Sequence, residues 1–218
     1  MSEAPTLPSV AAPRGDAAGL GNGPAPGQAP SLAFPPELLL AARGPGDGIA
    51  AAIFDVDGVL TDGRIYIGEA GESFKAFSTL DGHGMKLLAR GGIVPIVVTG
   101  RDSAAVRRRV AELGLVHAAY GAADKLAAGE AILATLGLDW SRVAVIGDDW
   151  PDLPLMQRAA FACAPPGAHV EAKAAAHHVT QARAGFGAAR EFCDLLLVAA
   201  GRYAALLHGP QHSLDGAR

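Results

Sequence analysis

The chain has 218 residues, half of them hydrophobic, and a net charge of −4. That length suits one domain plus an extension, and the acidic balance argues against a nucleic-acid-binding face. No apolar run approaches the ~20 residues that cross a membrane, and the two cysteines, Cys163 and Cys193, lie in apolar surroundings without metal or redox spacing.

Residues 1–48 are rich in Ala, Pro and Gly, a composition too poor in large apolar side chains to order itself. They read as a disordered extension, with about one turn of helix in Pro35–Arg43. The cluster Gly19-Leu20-Gly21-Asn22-Gly23-Pro24 superficially suggests a nucleotide loop, but no strand precedes it and a proline ends it. The apolar run Ile49–Phe54 reads as a short buried strand that ends on Asp55-Val56-Asp57-Gly58. Arg64–Ile67 and Ser73–Phe77, around a Gly-rich turn, read as a β-hairpin. Asp81-Gly82-His83-Gly84 leads into a helix from Met85 to Ala89. Val94–Val98 is a second strand, ending at Thr99-Gly100-Arg101. A helix capped by Asp102 or Ser103 runs to Leu113. His117–Tyr120 is a brief strand, and Lys125–Leu136 a helix stopped by Gly137. Val143–Ile146 is another buried strand, ending at Gly147-Asp148-Asp149-Trp150-Pro151-Asp152, with a helix following to about Ala159. Phe161–Ala164 and His178–Thr180 are short strands flanking a helix near 168–175. Gly187–Leu207 reads as one long helix, and residues 209–218 as a flexible tail.

Strands alternating with helices over 49–208 predict an α/β domain: a doubly wound, Rossmann-like, mostly parallel sheet with a β-hairpin flap and no large cap domain. In such a sheet ligands sit outside the carboxyl ends of the strands. The first strand delivers Asp55 and Asp57 there, the second Thr99, and the last clear one Asp148, Asp149 and, a turn on, Asp152. Lys125 opens a helix between them. Asp-x-Asp alone is often a turn, Thr-Gly a strand exit, and a helical lysine a solvated charge. Their common location at strand ends makes the signal. Carboxylates from separate strands suit a hard cation, Mg²⁺ before others, which takes oxygen ligands and keeps waters for a substrate phosphate. Asp55 would then attack phosphorus, Asp57 would serve as acid and base, and Thr99, Gly100 and Lys125 would hold the phosphoryl oxygens.

Asp55-Val56-Asp57-Gly58-Val59-Leu60-Thr61-Asp62-Gly63, Thr99-Gly100-Arg101, Lys125 and Gly147-Asp148-Asp149 with Asp152 resemble the four motifs of the haloacid dehalogenase superfamily of phosphatases. With Phe74-Lys75-Ala76-Phe77, Asp81-Gly82-His83-Gly84 and Arg190–Leu197, the chain from about Ile49 to Leu207 resembles, within it, the 3-deoxy-D-manno-octulosonate 8-phosphate (KDO 8-phosphate) phosphatases. The resemblance implies a Mg-dependent phosphomonoesterase of lipopolysaccharide precursor synthesis. Asp55 is implied as nucleophile and metal ligand, Asp57 as acid/base that ligates through its carbonyl, and Asp148 as the further protein ligand. Asp149 and Asp152 orient the metal site. Ser78, Thr79, Leu80, Asp81 and Gly82 would line the sugar-acid pocket, and Lys86, Arg101 and Arg109 would meet an acidic sugar phosphate. The resemblance also implies a homotetramer in which the hairpin 64–77 packs at a subunit interface and a neighbour helps close the site. Leu80, Lys86 and Phe186 stand where many members carry Arg. A related branch acts on nine-carbon sialic-acid-type sugar phosphates and carries Glu after Thr-Gly. Arg101 favours the eight-carbon acid.

A phospho-receiver domain shares the sheet, the acidic cluster, a Thr and a Lys. Its acidic pair follows the first strand, whereas here that pair comes last. A metal site at His177-His178 is disfavoured because adjacent strand residues point to opposite faces. With unpaired cysteines and no basic start followed by an apolar core, the expected location is the cytoplasm.

Overall fold

The computed structural model describes residues 31–209. Six strands form one parallel sheet: β1 (Ala51–Phe54), β4 (Val94–Val98), β5 (His117–Ala119), β6 (Val143–Ile146), β7 (Phe161–Ala164) and β8 (His178–Val179). Their order is β5-β4-β1-β6-β7-β8, and β2 (Tyr66–Gly68) and β3 (Gly71–Phe74) form a separate antiparallel hairpin. No second globular unit stands over the strand ends among the described residues. All four residues of β1 are buried, as a parallel strand covered on both faces requires.

Two helical layers cover the sheet. On one face lie α1 (Pro36–Arg43), α2 (Thr79–Arg90), α3 (Ala104–Leu113) and α7 (Ala188–Ala199), around a core that includes Phe54, Met85, Leu88, Val110 and Phe192. The other face carries α4 (Lys125–Leu136), α5 (Leu153–Arg158) and α6 (Val170–Ala175), around Ile53, Ile96, Val145, Leu155 and Met156. Chain order departs from β1 to β4 on one side and crosses back to β6 on the other. The switch point is therefore at the carboxyl end of β1, where the two flanking connections part and leave a crevice.

The hairpin strands fall at Tyr66–Gly68 and Gly71–Phe74 rather than at 64–67 and 73–77, and three further elements differ from the sequence expectation. Helix α1, placed within the extension by composition, is two turns long, buries Ala42 and packs with α7. Its Leu38 and Leu39 lie against the core, so tertiary burial orders a segment whose composition alone does not. The expectations for residues 1–30 and 210–218 lie outside the described residues. Helix α2 begins at Thr79 rather than Met85, because the Ser78 hydroxyl accepts from the N–H groups of Leu80 and Asp81 at 3.2 and 3.5 Å. Gly84 is then a packing residue rather than a turn: a Cβ there would come within 2.9 Å of Arg190 Cδ on α7. The long C-terminal helix is two, α7 and α8 (Tyr203–His208). Gly201, at φ 68°, breaks it, while Arg202 N–H donates to Leu197 O at 2.9 Å and Gly201 N–H to Val198 O at 2.9 Å.

Candidate active site

Strand ends converge on a cavity of about 420 Å³ lined by Asp55, Asp57, Thr99, Gly100, Arg101, Lys125, Asp148, Asp149 and Asp152. The residues predicted for phosphoryl chemistry thus share one crevice. Asp55 follows β1 directly and is 6% exposed. Lys125, the first residue of α4, is buried and donates to Asp55 Oδ1 at 2.6 Å and Asp152 Oδ1 at 2.7 Å. Asp152 is held in turn: its Oδ2 accepts from Asp148 N–H at 3.0 Å and Asp149 N–H at 3.3 Å. Thr99 is buried at the end of β4, and its hydroxyl accepts from Arg101 N–H at 3.4 Å.

Asp55, Asp148 and Asp152 each place a carboxylate oxygen within 4.8 Å of the others. Burial, then the Asp152 charge, pushes the Asp55 carboxyl well above its usual range, against the opposing pull of Lys125. Asp148 is raised to about 6 by the same causes in the same order. Lys125 stays an ammonium: although burial opposes its charge, Asp55 and Asp152 raise it. Three carboxylates around one ammonium leave two negative charges, which a divalent cation balances. The donor set is all oxygen, as Mg²⁺ prefers. Close approach is built into the backbone, because Gly58 has φ 100° and a Cβ there would collide with the Asp148 carboxylate. These residues fit Mg²⁺. Asp152 belongs to the triad by distance, and both of its oxygens are engaged, Oδ1 by Lys125 and Oδ2 by backbone N–H groups.

Asp57 sits on the other side of the crevice. Its Oδ1 pairs with Lys75 of the hairpin, and its Oδ2 lies 3.7 Å from Arg101 Nε. Glu72, also on the hairpin, accepts from Ser103 Oγ and from Arg101 Nη2 at 3.3 Å. Sequence reasoning places none of Lys75, Glu72 and Ser103 in the site: Ser103 reads only as a candidate helix cap and Lys75 only as part of the stretch Phe74–Phe77. One signal was present: Lys75 is the only lysine or arginine between Arg64 and Lys86.

The expected sugar contacts are not all in this crevice. Ser78, Thr79 and Leu80 line an adjoining groove of about 470 Å³ with Asp62, Phe77 and Phe186. A third cavity, of about 420 Å³, shares Asp62 and Phe186 with that groove and Asp148 with the crevice. Arg109 reaches the groove's rim, donating to Ser78 O at 3.3 Å. Asp81 is a brace: it is buried and accepts from Gly187 N–H at 3.2 Å and Arg190 N–H at 2.8 Å. Gly82 is buried inside α2, and its missing Cβ makes room for the Arg109 guanidinium. Lys86 lines a different cavity, of about 480 Å³, at the amino ends of β4 and β5. That cavity is walled mainly by apolar residues such as Ile93, Leu113 and Val116 and holds no carboxylate, so it is not the seat of the chemistry.

A parallel sheet whose first strand ends in Asp-x-Asp, with a threonine, a lysine and a second acidic cluster at the same edge, defines a haloacid dehalogenase-like hydrolase. The sequence profile of that family, haloacid dehalogenase-like hydrolase, matches residues 120–191. The 3-deoxy-D-manno-octulosonate 8-phosphate phosphatase of Yersinia pestis is 42% identical over 151 residues, which cover 69% of this chain and 81% of that protein. The crystal structure of the enzyme of that name from Moraxella catarrhalis, in complex with a magnesium ion, a phosphate ion and KDO, is 37% identical with a TM-score of 0.74. That match covers 78% of this chain and 96% of the other. A cobalt-bound deoxy-D-mannose-octulosonate 8-phosphate phosphatase from Haemophilus influenzae is 37% identical, with a TM-score of 0.71 over 73% of this chain and 93% of that one. The chain belongs to the 3-deoxy-D-manno-octulosonate 8-phosphate phosphatase family.

Proposed function

We propose that the protein is a Mg²⁺-dependent phosphomonoesterase that hydrolyses 3-deoxy-D-manno-octulosonate 8-phosphate to the free sugar acid and inorganic phosphate. The observation that carries this reading is the crevice itself. Asp55, with Lys125 at 2.6 Å, faces Asp57 and Thr99 across one cavity, in a chain 42% identical to an enzyme of that activity.

Asp55, Asp148 and the backbone carbonyl of Asp57 would hold the cation, which when bound would neutralise the carboxylates and the phosphate oxygens. The rest follows from the chain's own groups. Asp55 Oδ attacks phosphorus, and the phosphorus–oxygen bond to the sugar breaks. The leaving alkoxide takes a proton from Asp57. The aspartyl-phosphate so formed is hydrolysed by a water that gives its proton to Asp57 and adds to phosphorus, releasing phosphate and restoring the Asp55 carboxylate. Lys125, the Thr99 hydroxyl and the Gly100 N–H hold the phosphoryl oxygens. Lys125 also keeps Asp55 oriented through its hold on Asp152. Proton transfer by Asp57 is worth ~10²–10⁴ in rate.

The groove lined by Ser78, Thr79 and Leu80 takes the sugar, with Arg101 and Arg109 drawing its carboxylate. The protein works as a homotetramer in the cytoplasm. Support for assembly is the exposure of large apolar side chains in and beside the hairpin, where Ile65, Ile67 and Phe74 are 42%, 70% and 54% exposed. Support for a reducing compartment is that Cys163 and Cys193 are buried and unpaired, their thiols pushed well up by burial. No helix among the described residues is long and apolar enough to cross a membrane.

The test is phosphate release with Mg²⁺ across acidic sugar phosphates. The eight-carbon acid phosphate is expected to lead both nine-carbon acid phosphates and simple hexose phosphates in kcat/KM. A wide lead for hexose phosphates would overturn the substrate, and no release from any ester would overturn the activity.

A further inference from the structure

Lys75 lies one residue past β3, on a hairpin whose neighbouring Phe74 is 54% exposed, yet its own side chain is 1% exposed. Burying an ammonium is costly unless it is paired. Lys75 is paired twice, to Asp57 Oδ1 and to Glu72 Oε2 at 3.4 Å. Glu72 is anchored independently: the Ser103 hydroxyl, first among its neighbours, holds its carboxyl below the usual range, and Arg101 adds a second donor. Ser103 is buried at the start of α3, so the hairpin is clipped to a fixed point of the sheet's own connection. The consequence falls on Asp57. One of its oxygens is taken by Lys75. The other, Oδ2, has the Arg101 guanidinium 3.7 Å away at ion-pair distance, yet it is the only buried side-chain oxygen or nitrogen without a hydrogen-bond partner among the described residues. Such atoms are rare because each costs desolvation energy, and one on the wall of a reactive crevice calls for a ligand group.

We propose that Lys75 is a positioning residue for the proton-transfer step. It fixes Asp57 through Oδ1 so that Oδ2 faces the leaving oxygen of the substrate, and Glu72 and Ser103 hold Lys75 in place. This rests on the reading of Asp57 as acid and base. The hairpin thereby contributes to chemistry within its own chain, apart from any part it plays in assembly. The effect is selective by leaving group. A sugar alkoxide leaves only if it is protonated in step, so it depends on where Asp57 points. A p-nitrophenolate leaves without that proton.

The experiment is a rapid-quench single turnover of Lys75→Met with Mg²⁺, which isolates transfer to the enzyme. It compares 3-deoxy-D-manno-octulosonate 8-phosphate with p-nitrophenyl phosphate, and thermal unfolding is followed in parallel. The sugar phosphate is expected to slow by about 10²-fold, and the aryl phosphate at least about tenfold less than that. Lys75→Arg is expected to recover part of the loss, since it restores a cation. Equal losses on both esters, a change confined to KM, or no loss would overturn the proposal. If Lys75→Met does not fold, Glu72→Gln and Ser103→Ala loosen the same clip from a residue further away. They must show the same leaving-group bias, and its absence in both overturns the proposal equally. If the wild-type protein turns over neither ester, the functional reading itself fails rather than the role of Lys75.

Discussion

The strand-end crevice and the hairpin above it are built on opposite plans. In the crevice each functional group follows a buried strand or opens a helix, and its charges are tied to one another: Lys125 to Asp55 and Asp152, Asp152 to the backbone of the next loop. The hairpin has no buried strand. Its β2 and β3 residues are half-buried or exposed, and it meets the site only through Glu72 and Lys75. Close packing makes the first region stiff. The second is held by a few charged contacts, centred on the buried Lys75 side chain and Ser103, rather than by an apolar core of its own. On the proposed function chemistry belongs to the first, and on the proposed role of Lys75 the handling of the leaving group belongs to the second.

Variants can break that contrast. The largest effect is expected from Asp55→Asn, which removes the nucleophile. Turnover should fall roughly 10⁴-fold or more, while the melting temperature changes little because a buried carboxylate that resists ionisation is lost. Appreciable turnover in that variant would remove the crevice from the chemistry. A smaller effect concerns pH. The Asp148 carboxyl, raised to about 6, binds a proton more tightly folded than unfolded. Without metal, its contribution to stability is therefore present below the unfolded value of 3.8 and is lost as pH rises through about 6. A cation must displace that proton. Its affinity should weaken about tenfold at pH 5 relative to pH 7.5, read as a smaller Mg²⁺-induced rise in melting temperature at pH 5. An equal rise at both values would contradict the placement of Asp148 at the metal.

Asp81 sharpens the boundary between the site and its support. Asp81→Ala leaves the N–H groups of Gly187 and Arg190 unsatisfied, at a cost of about 2 kcal/mol. Thermal unfolding should register that loss, while KM stays near the wild-type value. A large rise in KM with unchanged stability would return Asp81 to the sugar pocket. The smallest effect is expected from Lys86→Ala, at the far end of the sheet, with stability within about 0.5 kcal/mol and kcat/KM unchanged.

Legibility followed the physics. Periodicity and caps marked β4, α4, β6 and β7 at the bounds the structure shows, because each is a short apolar run or an amphipathic segment closed by a glycine or an acidic cluster. The polar residues at their ends were legible for the same reason: a strand's exit is where its sequence turns polar. Helix α2 was placed too late because two glycines read as a turn, whereas they are there to let Arg190 and Arg109 come close. The break at Gly201 hides because helix-compatible residues continue past it, from Arg202 and Tyr203 to Leu207. The hairpin clip was hidden for another reason. Lys75 meets Asp57 across 18 positions and Glu72 meets Ser103 across 31, and nothing in local periodicity encodes which charges meet when a flap folds down.

The central claim is covalent transfer to Asp55, and the Asp57→Asn variant offers the direct test, since loss of the base slows hydrolysis of the intermediate. After mixing that variant with Mg²⁺ and p-nitrophenyl phosphate, whose leaving group needs no proton from Asp57, and quenching in acid, mass spectrometry should find one phosphoryl group, carried by Asp55. A protein that releases phosphate yet carries no phosphoryl group, or carries it on another residue, would contradict the account.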